Sequence, residues 1–380
     1  MMLTEEELML RSAVREFTEK ELAPRAAEID EQEAFSWDIW KAVSKLGITG
    51  VTLDPKHGGS GGGVKTIAVV IEELARLDAS TSVTYLAHVS LAAQFINTFG
   101  SESQKARWIP GLASGAKLGA FCLTEPGNGS DAAAASTIAS KKGGKYIVNG
   151  SKTFITNGTQ GDTFVVLANT NKELRHRGFV ALVVDKGATG LSAQKIHGKM
   201  GLRGSDTATV FFDNVEVPEE NRLGDEGRGF YECMQILDTS RVSIAAQAVG
   251  IAQGAYEAAV KYAKDRKAFG QPIADFQAIQ HYLADMAMRV EASRLLTYEA
   301  AMLKDMGKPF LKHASFAKAF GSETAVFCAD RAVQIHGGYG YIRPTNVERY
   351  YRDARVTMIY EGTSEIQRNI IARQVLQEAV

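Results

Sequence analysis

Glu361 is the carboxylate of this sequence best placed to do chemistry. It follows the apolar residues 358–360 and directly precedes Gly362. An apolar wall beside a turn would desolvate the carboxylate, raise its pKa and make it a stronger base. The alternative is structural: Thr363 or Ser364 caps a following helix, and Glu361 is a solvated acid beside its N-terminus. Taken alone, the segment favours the structural alternative, because most such carboxylates have no catalytic role.

A second candidate site is the glycine-rich loop 124–131, which reads Thr-Glu-Pro-Gly-Asn-Gly-Ser-Asp. Gly127 and Gly129 allow backbone N–H groups to approach a ligand closely, and Thr124 and Ser130 add hydroxyl donors. The spacing matches a loose form of the dinucleotide fingerprint. That fingerprint also needs a following helix in an alternating βα unit, which the sequence does not indicate. The loop is therefore a ligand site or an ordinary turn.

Two residues at the end of a predicted strand could face a planar ring. Phe154 could form a wall for such a ring, and Thr156 could donate a hydrogen bond to a ring heteroatom. The alternative is a core phenylalanine and a turn threonine. By themselves these two residues favour that alternative.

The ends of two predicted helices carry further candidates. Arg266 can bind phosphate through two N–H groups, and Phe269 can stack on an adenine. The alternative is a basic helix C-terminus that complements the helix dipole. His336 ends another helix and has no second His or Cys at metal-binding spacing, so a structural histidine is favoured and no metal site is predicted.

Composition limits the classes of function. The chain has 380 residues, 45% of them hydrophobic, and a net charge of −1. This length allows two or three domains with substantial cores, and the near-zero charge argues against nucleic acid as a main partner. The longest uncharged stretch, residues 79–101, is rich in Ser, Thr, Asn and Gln, so no membrane span is predicted.

The cysteines and the N-terminal residues predict a cytoplasmic protein. Cys122, Cys233 and Cys328 are far apart and odd in number, which indicates buried thiols in a reducing compartment. Residues 5–7 are all glutamate, and no basic region followed by an apolar one is visible near them. We therefore expect neither a signal peptide nor a transit peptide.

The hydrophobic pattern changes period twice along the chain. Helical spacing predicts helices at residues 3–21, 37–46, 64–77, 83–99, 242–263, 276–306 and 311–336, and a last one after Glu361. Short β-branched and aromatic runs predict strands at residues 121–123, 146–148, 152–156, 164–168, 179–184 and 209–212, with a hairpin turn at Asn149-Gly150.

This segregation of helices and strands predicts an α+β fold with its domains in series. We expect an N-terminal helical domain at residues 1–120, a middle antiparallel β domain at residues 121–229, and a C-terminal four-helix bundle at residues 230–380.

Taken together, the motifs resemble the acyl-CoA dehydrogenase family, and most of all its short-chain, butyryl-CoA type. The resemblance covers nearly the whole chain, with its motifs in the family's order and spacing. The motifs lie at residues 123–131, 154–158, 199–205, 265–270, 334–340, 352–355 and 360–363.

The resemblance implies a flavoenzyme with the same three blocks, usually a homotetramer built as a dimer of dimers. It implies an FAD cofactor, an acyl-CoA substrate, and an electron-transfer flavoprotein as electron acceptor. The implied reaction is α,β-dehydrogenation of the thioester to a trans-2-enoyl-CoA, a step of fatty acid β-oxidation.

The resemblance also implies roles for individual residues. Glu361 stands at the position of the family's catalytic base. The residues implied to bind FAD are Thr124, Phe154, Thr156, Arg266, Phe269, Gln277, Gln334, Gly338, Thr363 and Glu365, with those from Arg266 to Gly338 reaching the cofactor of a neighbouring subunit. The residues implied to contact the substrate are Ser130, Asp238, Arg241 and Tyr360. Some family members carry the base at the position of Ser240, but a serine cannot serve as that base.

Several alternatives stay open. Glutaryl-type members place an arginine at residues 84–91, where this chain has only His88. Acyl-CoA oxidases share the fold but are usually much longer. A nicotinamide-dependent dehydrogenase lacks support because no βα alternation is seen, and a noncatalytic flavin- or CoA-binding protein would be expected to lose Glu361.

The substrate is predicted to be short or compact, such as butyryl-CoA, with a cyclic or branched acyl group as the main rival. The floor of the acyl pocket is predicted to come from residues 81–95. The large side chains that would block a long acyl chain there are Tyr85, Leu86, His88, Leu91 and Phe95. His88 could hold a polar tail, although a structural histidine is favoured.

Overall fold

The fold is that of a computed structural model, which describes residues 3–378. The helices are α1 (Glu5–Phe17), α2 (Ala26–Gln32), α3 (Trp37–Lys45), α4 (Val64–Leu77), α5 (Ala79–Leu86), α6 (Gln94–Phe99), α7 (Glu102–Ala113), α8 (Gly229–Asp265), α9 (Gln277–Asp305), α10 (Leu311–His336), α11 (Val347–Val356) and α12 (Ser364–Gln377). The strands are β1 (Gly119–Cys122), β2 (Ile138–Lys142), β3 (Lys145–Thr156), β4 (Thr163–Asn169), β5 (Phe179–Asp185), β6 (Leu191–Lys195), β7 (Thr207–Pro218), β8 (Arg222–Leu223), β9 (Lys267–Ala268) and β10 (Gln271–Pro272). The predicted order of helices, strands and helices is confirmed.

The helix predicted from residue 83 begins four residues earlier, at α5. The Asp78 carboxylate accepts hydrogen bonds from the N–H groups of Ser80 (3.3 Å) and Thr81 (3.0 Å), and so caps the helix. From α5 the chain continues through a π-helical stretch, Ala87–Ala93, directly into α6. This continuous helical segment packs against β1 and α8.

The middle domain is one eight-stranded sheet. Its strand order is β6-β7-β3-β2-β4-β5-β8, and β1 pairs with β4. The pairs β1·β4 and β2·β4 are parallel, and the other pairs are antiparallel. A separate hairpin of β9 and β10 follows α8.

The predicted hairpin turn at Asn149-Gly150 is wrong. Strand β3 runs straight through this pair, which forms a register shift against β7. The turn lies instead at Gly143 and Gly144, whose φ angles are +58° and +74°. Two consecutive left-handed residues are what a tight hairpin turn requires, and this glycine pair connects β3 to β2, a strand missing from the prediction.

The C-terminal helices form a bundle in which α10 packs against α8, α9 and α12. The sequence reading missed α11, whose segment is dominated by charged and aromatic residues. Its buried positions, Val347, Tyr350 and Ala354, nevertheless follow three- and four-residue steps. The Tyr350 hydroxyl donates to the Arg76 carbonyl oxygen (2.7 Å), which joins the bundle to the N-terminal helices.

The structure of residues 3–378 also bears on the expectations about membrane spans, cysteines and metal sites. No helix in that range combines the length and apolarity needed to cross a membrane. Cys122, Cys233 and Cys328 are buried free thiols, as predicted. No group of three or more His, Cys, Asp or Glu side chains in that range is arranged to hold a metal ion.

Candidate active site

Glu361 lies on a strained turn between α11 and α12. Its φ angle is +49°, and that of Gly362 is +93°. The left-handed conformation costs a residue with a side chain about 1–2 kcal/mol, so the surrounding structure must hold it. The positive φ favours glycine at position 362, where a Cβ atom would also lie 2.6 Å from Nε2 of Gln367. The Thr363 side chain accepts the N–H of Ile366 and caps α12, so of the two caps considered, Thr363 and Ser364, the first is the one formed.

Glu361 is partly buried, and groups from two other helices face its carboxylate. It accepts a hydrogen bond from the Ser240 hydroxyl of α8. Burial raises the pKa of Glu361 to about 7, although the Ser240 hydrogen bond and the positive charges of Lys318 and Arg241 act to lower it. Lys318 and Arg241 are themselves buried, at 0% and 6% exposure. Glu361 is therefore not a solvated acid, and a carboxyl of this pKa can accept a proton near neutral pH.

The two charged residues expected at the CoA thioester lie on α8, beside Ser240. Arg241 Nη1 forms an ion pair with Asp238 Oδ1 at 2.5 Å. Burial raises the pKa of Asp238, and the neighbouring guanidinium of Arg241 opposes that rise. Arg241 is close enough to lower the pKa of Glu361, and Asp238 is paired with Arg241 on the same helix. Contact of either residue with the CoA thioester stays a prediction.

Tyr360, the residue before the carboxylate, is fixed to the helices behind it. It packs against the core cluster that contains Leu86 and Ile244. Its hydroxyl donates to Oε1 of the fully buried Gln247, whose Nε2 donates to the Ala79 carbonyl oxygen at 3.1 Å. Burial raises the pKa of Tyr360 well above its usual value, so the phenol stays a neutral donor. Tyr360 is thereby anchored to α8 and, through Gln247, to the start of α5.

A buried ion pair fixes the glycine-rich loop to β3. Glu125 Oε1 lies 2.8 Å from Lys152 Nζ, and the two side chains are 2% and 0% exposed. Glu125 also accepts the N–H and the hydroxyl of Ser136 (2.6 and 2.7 Å). In addition, the backbone N–H of Thr153 donates to the Thr124 carbonyl oxygen (2.8 Å). The structure therefore brings Thr124 to the strand that carries Phe154 and Thr156.

A second group of predicted residues lies on the surface at one end of the bundle. The exposed residues there are Arg266, Phe269, Gln277, Gln334 and Gly338. The Arg266 guanidinium lies 5.7 Å from the ring centre of Tyr339, and the Phe269 ring, which is 96% exposed, lies 6.0 Å from that of Phe276. Arg266 thus lies beside the residue that follows Gly338, and Phe269 beside the residue that precedes Gln277. Ser130 and Glu365 are also exposed, the first in the glycine-rich loop and the second in the first turn of α12.

Comparison with known proteins identifies the family. Models of the N-terminal, middle and C-terminal domains of acyl-CoA dehydrogenase match residues 4–116, 120–215 and 227–376. The chain belongs to the acyl-CoA dehydrogenase family. This match confirms the resemblance inferred from the motifs. The members of the family are oxidoreductases that use FAD.

Three relatives show how far the similarity extends. The short-chain specific acyl-CoA dehydrogenase of Clostridium acetobutylicum is 43% identical over 375 residues, which is 99% of each chain. The structure of butyryl-CoA dehydrogenase from Megasphaera elsdenii has a TM-score of 0.97 at 43% identity, covering 99% of this chain and 100% of that one. A chain from a structural study of the electron transferring flavoprotein of Acidaminococcus fermentans has a TM-score of 0.98 at 45% identity, covering 99% of both.

The region around Phe154 in this acyl-CoA dehydrogenase suits a flat cofactor ring. Phe154 has a φ angle of +57° and leaves 68% of its surface exposed. Within residues 3–378 the hydroxyls of Thr124 and Thr156 make no hydrogen bond, so both are free for a ligand. A Cβ atom at Gly127 or Gly129 would meet nothing within 4 Å, and neither glycine has a positive φ. The fold itself does not require glycine there, whereas close approach of a bound group would.

Two of the side chains predicted for the pocket floor, His88 and Tyr85, form hydrogen bonds with backbone groups. His88 Nδ1 accepts the Gly119 N–H (2.9 Å), which leaves Nε2 to donate to the Leu112 carbonyl oxygen (3.0 Å). Burial lowers the pKa of His88 to about 4, so the ring is neutral. The Tyr85 hydroxyl donates to the Ile48 carbonyl oxygen (2.9 Å). The structural reading of His88 therefore holds, and no ring nitrogen is free to bind a polar tail.

Three site residues of the enzyme escaped sequence reasoning. Ser240 was set aside because it cannot act as a base, yet it donates to Glu361. Gln247 and Lys318 gave little signal, since each lies within a long helix far in sequence from residue 361. The signal that could have identified them is a polar residue on a helix face made of small apolar residues. Lys318, for example, follows Ala314 and Ala317 on the buried face of α10.

Proposed function

We propose that this enzyme dehydrogenates short acyl-CoA thioesters to trans-2-enoyl-CoA, with Glu361 as the base that removes the α-proton. The observation that carries the proposal is the carboxylate of Glu361, which lies on a left-handed turn and accepts a hydrogen bond from Ser240. When bound, FAD supplies the acceptor for the hydride that leaves the β-carbon. The α-proton is taken up by the Glu361 carboxylate.

The residues around Glu361 favour proton removal in two ways. Burial makes its carboxylate a stronger base than one in water, and substrate binding would remove still more water. The backbone N–H of Glu361 makes no hydrogen bond within residues 3–378, and it is therefore available to the thioester oxygen. Such a donor would stabilise the negative charge that develops as the proton leaves.

The remaining residues bind substrate and cofactor. Arg241, paired with Asp238, would lie along the CoA thioester, with Ser130 on the glycine-rich loop. Thr124, Phe154 and Thr156 would hold the flavin ring, with Thr363 and Glu365 close by. The exposed group from Arg266 to Gly338 would bind the adenine and pyrophosphate of the FAD in a neighbouring subunit. Gly338 supports this role, because a Cβ atom there would meet no atom within 4 Å.

The short acyl chain is supported by the hydrogen bonds behind Tyr360. With the acyl chain directed past Tyr360, a longer chain would displace the buried amide of Gln247 from both Tyr360 and Ala79. Leaving such buried groups unpaired costs about 1–3 kcal/mol each, and a methylene that finds no space gains none of its usual ~0.8 kcal/mol. A glutaryl-type substrate lacks support, since His88 is neutral and fully hydrogen-bonded.

We expect kcat/KM for butyryl-CoA to exceed that for octanoyl-CoA by at least about tenfold, and that for palmitoyl-CoA by more. The measurement is a turnover panel with an artificial electron acceptor that also includes cyclohexanecarboxyl-CoA. Gln247→Ala, which removes the amide, should narrow the difference between the butyryl and octanoyl esters. Faster turnover of octanoyl-CoA by the unchanged enzyme would refute the short pocket, and a preference for the cyclic ester would favour the rival substrate.

The oligomer and the electron acceptor are part of the proposal. The solvent-exposed aromatic rings of Phe269, Tyr339 and Tyr341 at one end of the bundle support a contact with another subunit, in a homotetramer. The similarity to a chain studied with an electron transferring flavoprotein supports such a protein as the acceptor.

Arg266→Ala is expected to weaken FAD retention by about tenfold or more, because it removes a charge-assisted contact to phosphate. The measurement is the flavin-to-protein ratio after gel filtration, together with the oligomeric state. Lys267→Ala is the matched control, since it removes a neighbouring exposed charge, and it should leave the ratio unchanged. A monomeric wild-type enzyme with fully bound FAD would contradict the shared site.

A further inference from the structure

Lys318 is a buried cation that none of the roles above explains. It lies on α10 with no exposed surface, and its ammonium donates a hydrogen bond to the Gly362 carbonyl oxygen at 2.6 Å. An ammonium has three N–H groups, and this is its one hydrogen bond within residues 3–378. Burying a charge costs stability. In this protein the buried charge of Lys318 lies beside Gly362, the residue after Glu361.

The turn that carries Glu361 is held from two helices. From α12, Gln367 Nε2 donates to the carbonyl oxygens of Glu361 (3.4 Å) and Gly362 (3.1 Å). From α10, Lys318 makes the shorter contact with Gly362, and Ser322, about one turn later, donates to the Thr357 carbonyl oxygen (2.9 Å). Helix α10 therefore holds residues 357–362, the segment that carries Glu361, at the two ends of that segment.

We propose that Lys318 is a positioning residue for Glu361. From α10 its ammonium fixes the Gly362 carbonyl and so keeps the left-handed turn, and its charge keeps the carboxylate ready to accept a proton. The inference rests on the proposed role of Glu361 as the base. Without Lys318 the strained turn is free to relax, and a displacement of the base by about 1 Å is enough to lower a rate up to a hundredfold.

The charged groups that face the Glu361–Lys318 pair are few. Arg241 lies on α8, with Asp238 as its partner, and Glu365 lies in the first turn of α12. Of the two cations, Lys318 has the larger effect on the pKa of Glu361. Because both lower that pKa, removing Lys318 should raise it. The ionised fraction of the base at neutral pH then falls.

Two variants separate the hydrogen bond from the charge. Lys318→Met removes both at similar volume, whereas Lys318→Gln removes the charge and keeps an N–H donor. The measurement is the rate of flavin reduction by butyryl-CoA as a function of pH, per bound flavin, with thermal unfolding as a check on folding. For wild type the rate should rise as pH increases through about 7, where Glu361 ionises. Burial lowers the pKa of Lys318 to about 8, so its charge acts on this acid limb, whereas its hydrogen bond to Gly362 acts on the limiting rate at high pH as well.

We expect Lys318→Met to lower the limiting rate at high pH by about ten- to a hundredfold and to move the acid limb of the profile to higher pH. Lys318→Gln should move the acid limb in the same direction but recover most of the limiting rate. If Lys318→Met does not retain FAD, the test rests on Lys318→Gln alone. The proposal then stands only if the acid limb of the Lys318→Gln profile moves to higher pH. Lys312→Met, a more exposed lysine on the same helix, should leave the profile unchanged.

A double variant distinguishes positioning from general packing. In Glu361→Gln the base is absent, so adding Lys318→Met should have little further effect on the residual rate. An equal loss in both backgrounds, or a wild-type profile for Lys318→Met and Lys318→Gln, would overturn the proposal while leaving the role of Glu361 intact. Substantial turnover by Glu361→Gln alone would instead contradict the proposed base.

Discussion

Glu361→Gln is expected to lower turnover of butyryl-CoA by about 10²–10⁴-fold while the fold and the bound FAD are kept. The amide has nearly the same volume as the carboxyl and can still accept the Ser240 hydrogen bond through its oxygen. It cannot accept the α-proton. The loss should therefore appear in the limiting rate, with little change in substrate binding.

The control for this substitution is Glu323→Gln, which changes an exposed carboxylate on α10 that pairs with Arg368. Surface pairs of this kind contribute about 0–1 kcal/mol, so both stability and turnover should be close to wild type. Residual activity of Glu361→Gln above about one part in a hundred would place the base elsewhere.

Lys152→Met is expected to destabilise the protein by about 3–5 kcal/mol and to lower its FAD content, because it breaks the buried pair with Glu125. Although burial acts to raise the pKa of Glu125, Lys152 and the donors at Ser136 and Thr137 hold it at about 2. Without Lys152 the Glu125 carboxylate stays buried with no cation beside it, although Ser136 and Thr137 still donate to it, and the loop that carries Thr124 loses one of its anchors. Thermal unfolding and the flavin-to-protein ratio measure the two effects.

Lys145→Met is the matched control on the same strand, β3. Lys145 also forms an ion pair with a glutamate, Glu216, at 2.5 Å, but the two side chains are 49% and 60% exposed. Its removal should change stability by less than about 1 kcal/mol. Equal unfolding midpoints for the two variants would show that the buried pair does not hold the glycine-rich loop.

Local signals in the sequence were sufficient for most elements of the fold and failed where a tertiary contact decides. The cap at Thr363 and the helix α4 were predictable, because their signals lie within a few neighbouring residues. At Asn149-Gly150 the turn signal was present, but pairing of β3 with β7 overrode it. The early start of α5 depends on Asp78, whose capping role is visible in the sequence only once the helix is known to begin there.

For the site, the family resemblance singled out Glu361 as the expected base, because the residues around it favour a structural role when taken alone. Neither signal predicts which side chains surround the carboxylate. Ser240 is 121 residues away in sequence, and Lys318 donates to a carbonyl 44 residues away. No periodicity or spacing connects such residues, since their contact arises from how α8 and α10 pack. Gln247 escaped for the same reason, and the pocket-floor prediction relied on Tyr85 and His88, whose polar atoms turned out to bond to backbone groups.

The most direct test of the account is anaerobic mixing of the purified enzyme with butyryl-CoA, followed by flavin absorbance and product analysis. We predict loss of the oxidised flavin band and formation of one trans-2-enoyl-CoA per flavin reduced, with both changes absent in Glu361→Gln. A flavin that stays oxidised while butyryl-CoA is bound, or an enoyl product that forms only with added nicotinamide cofactor, would contradict it.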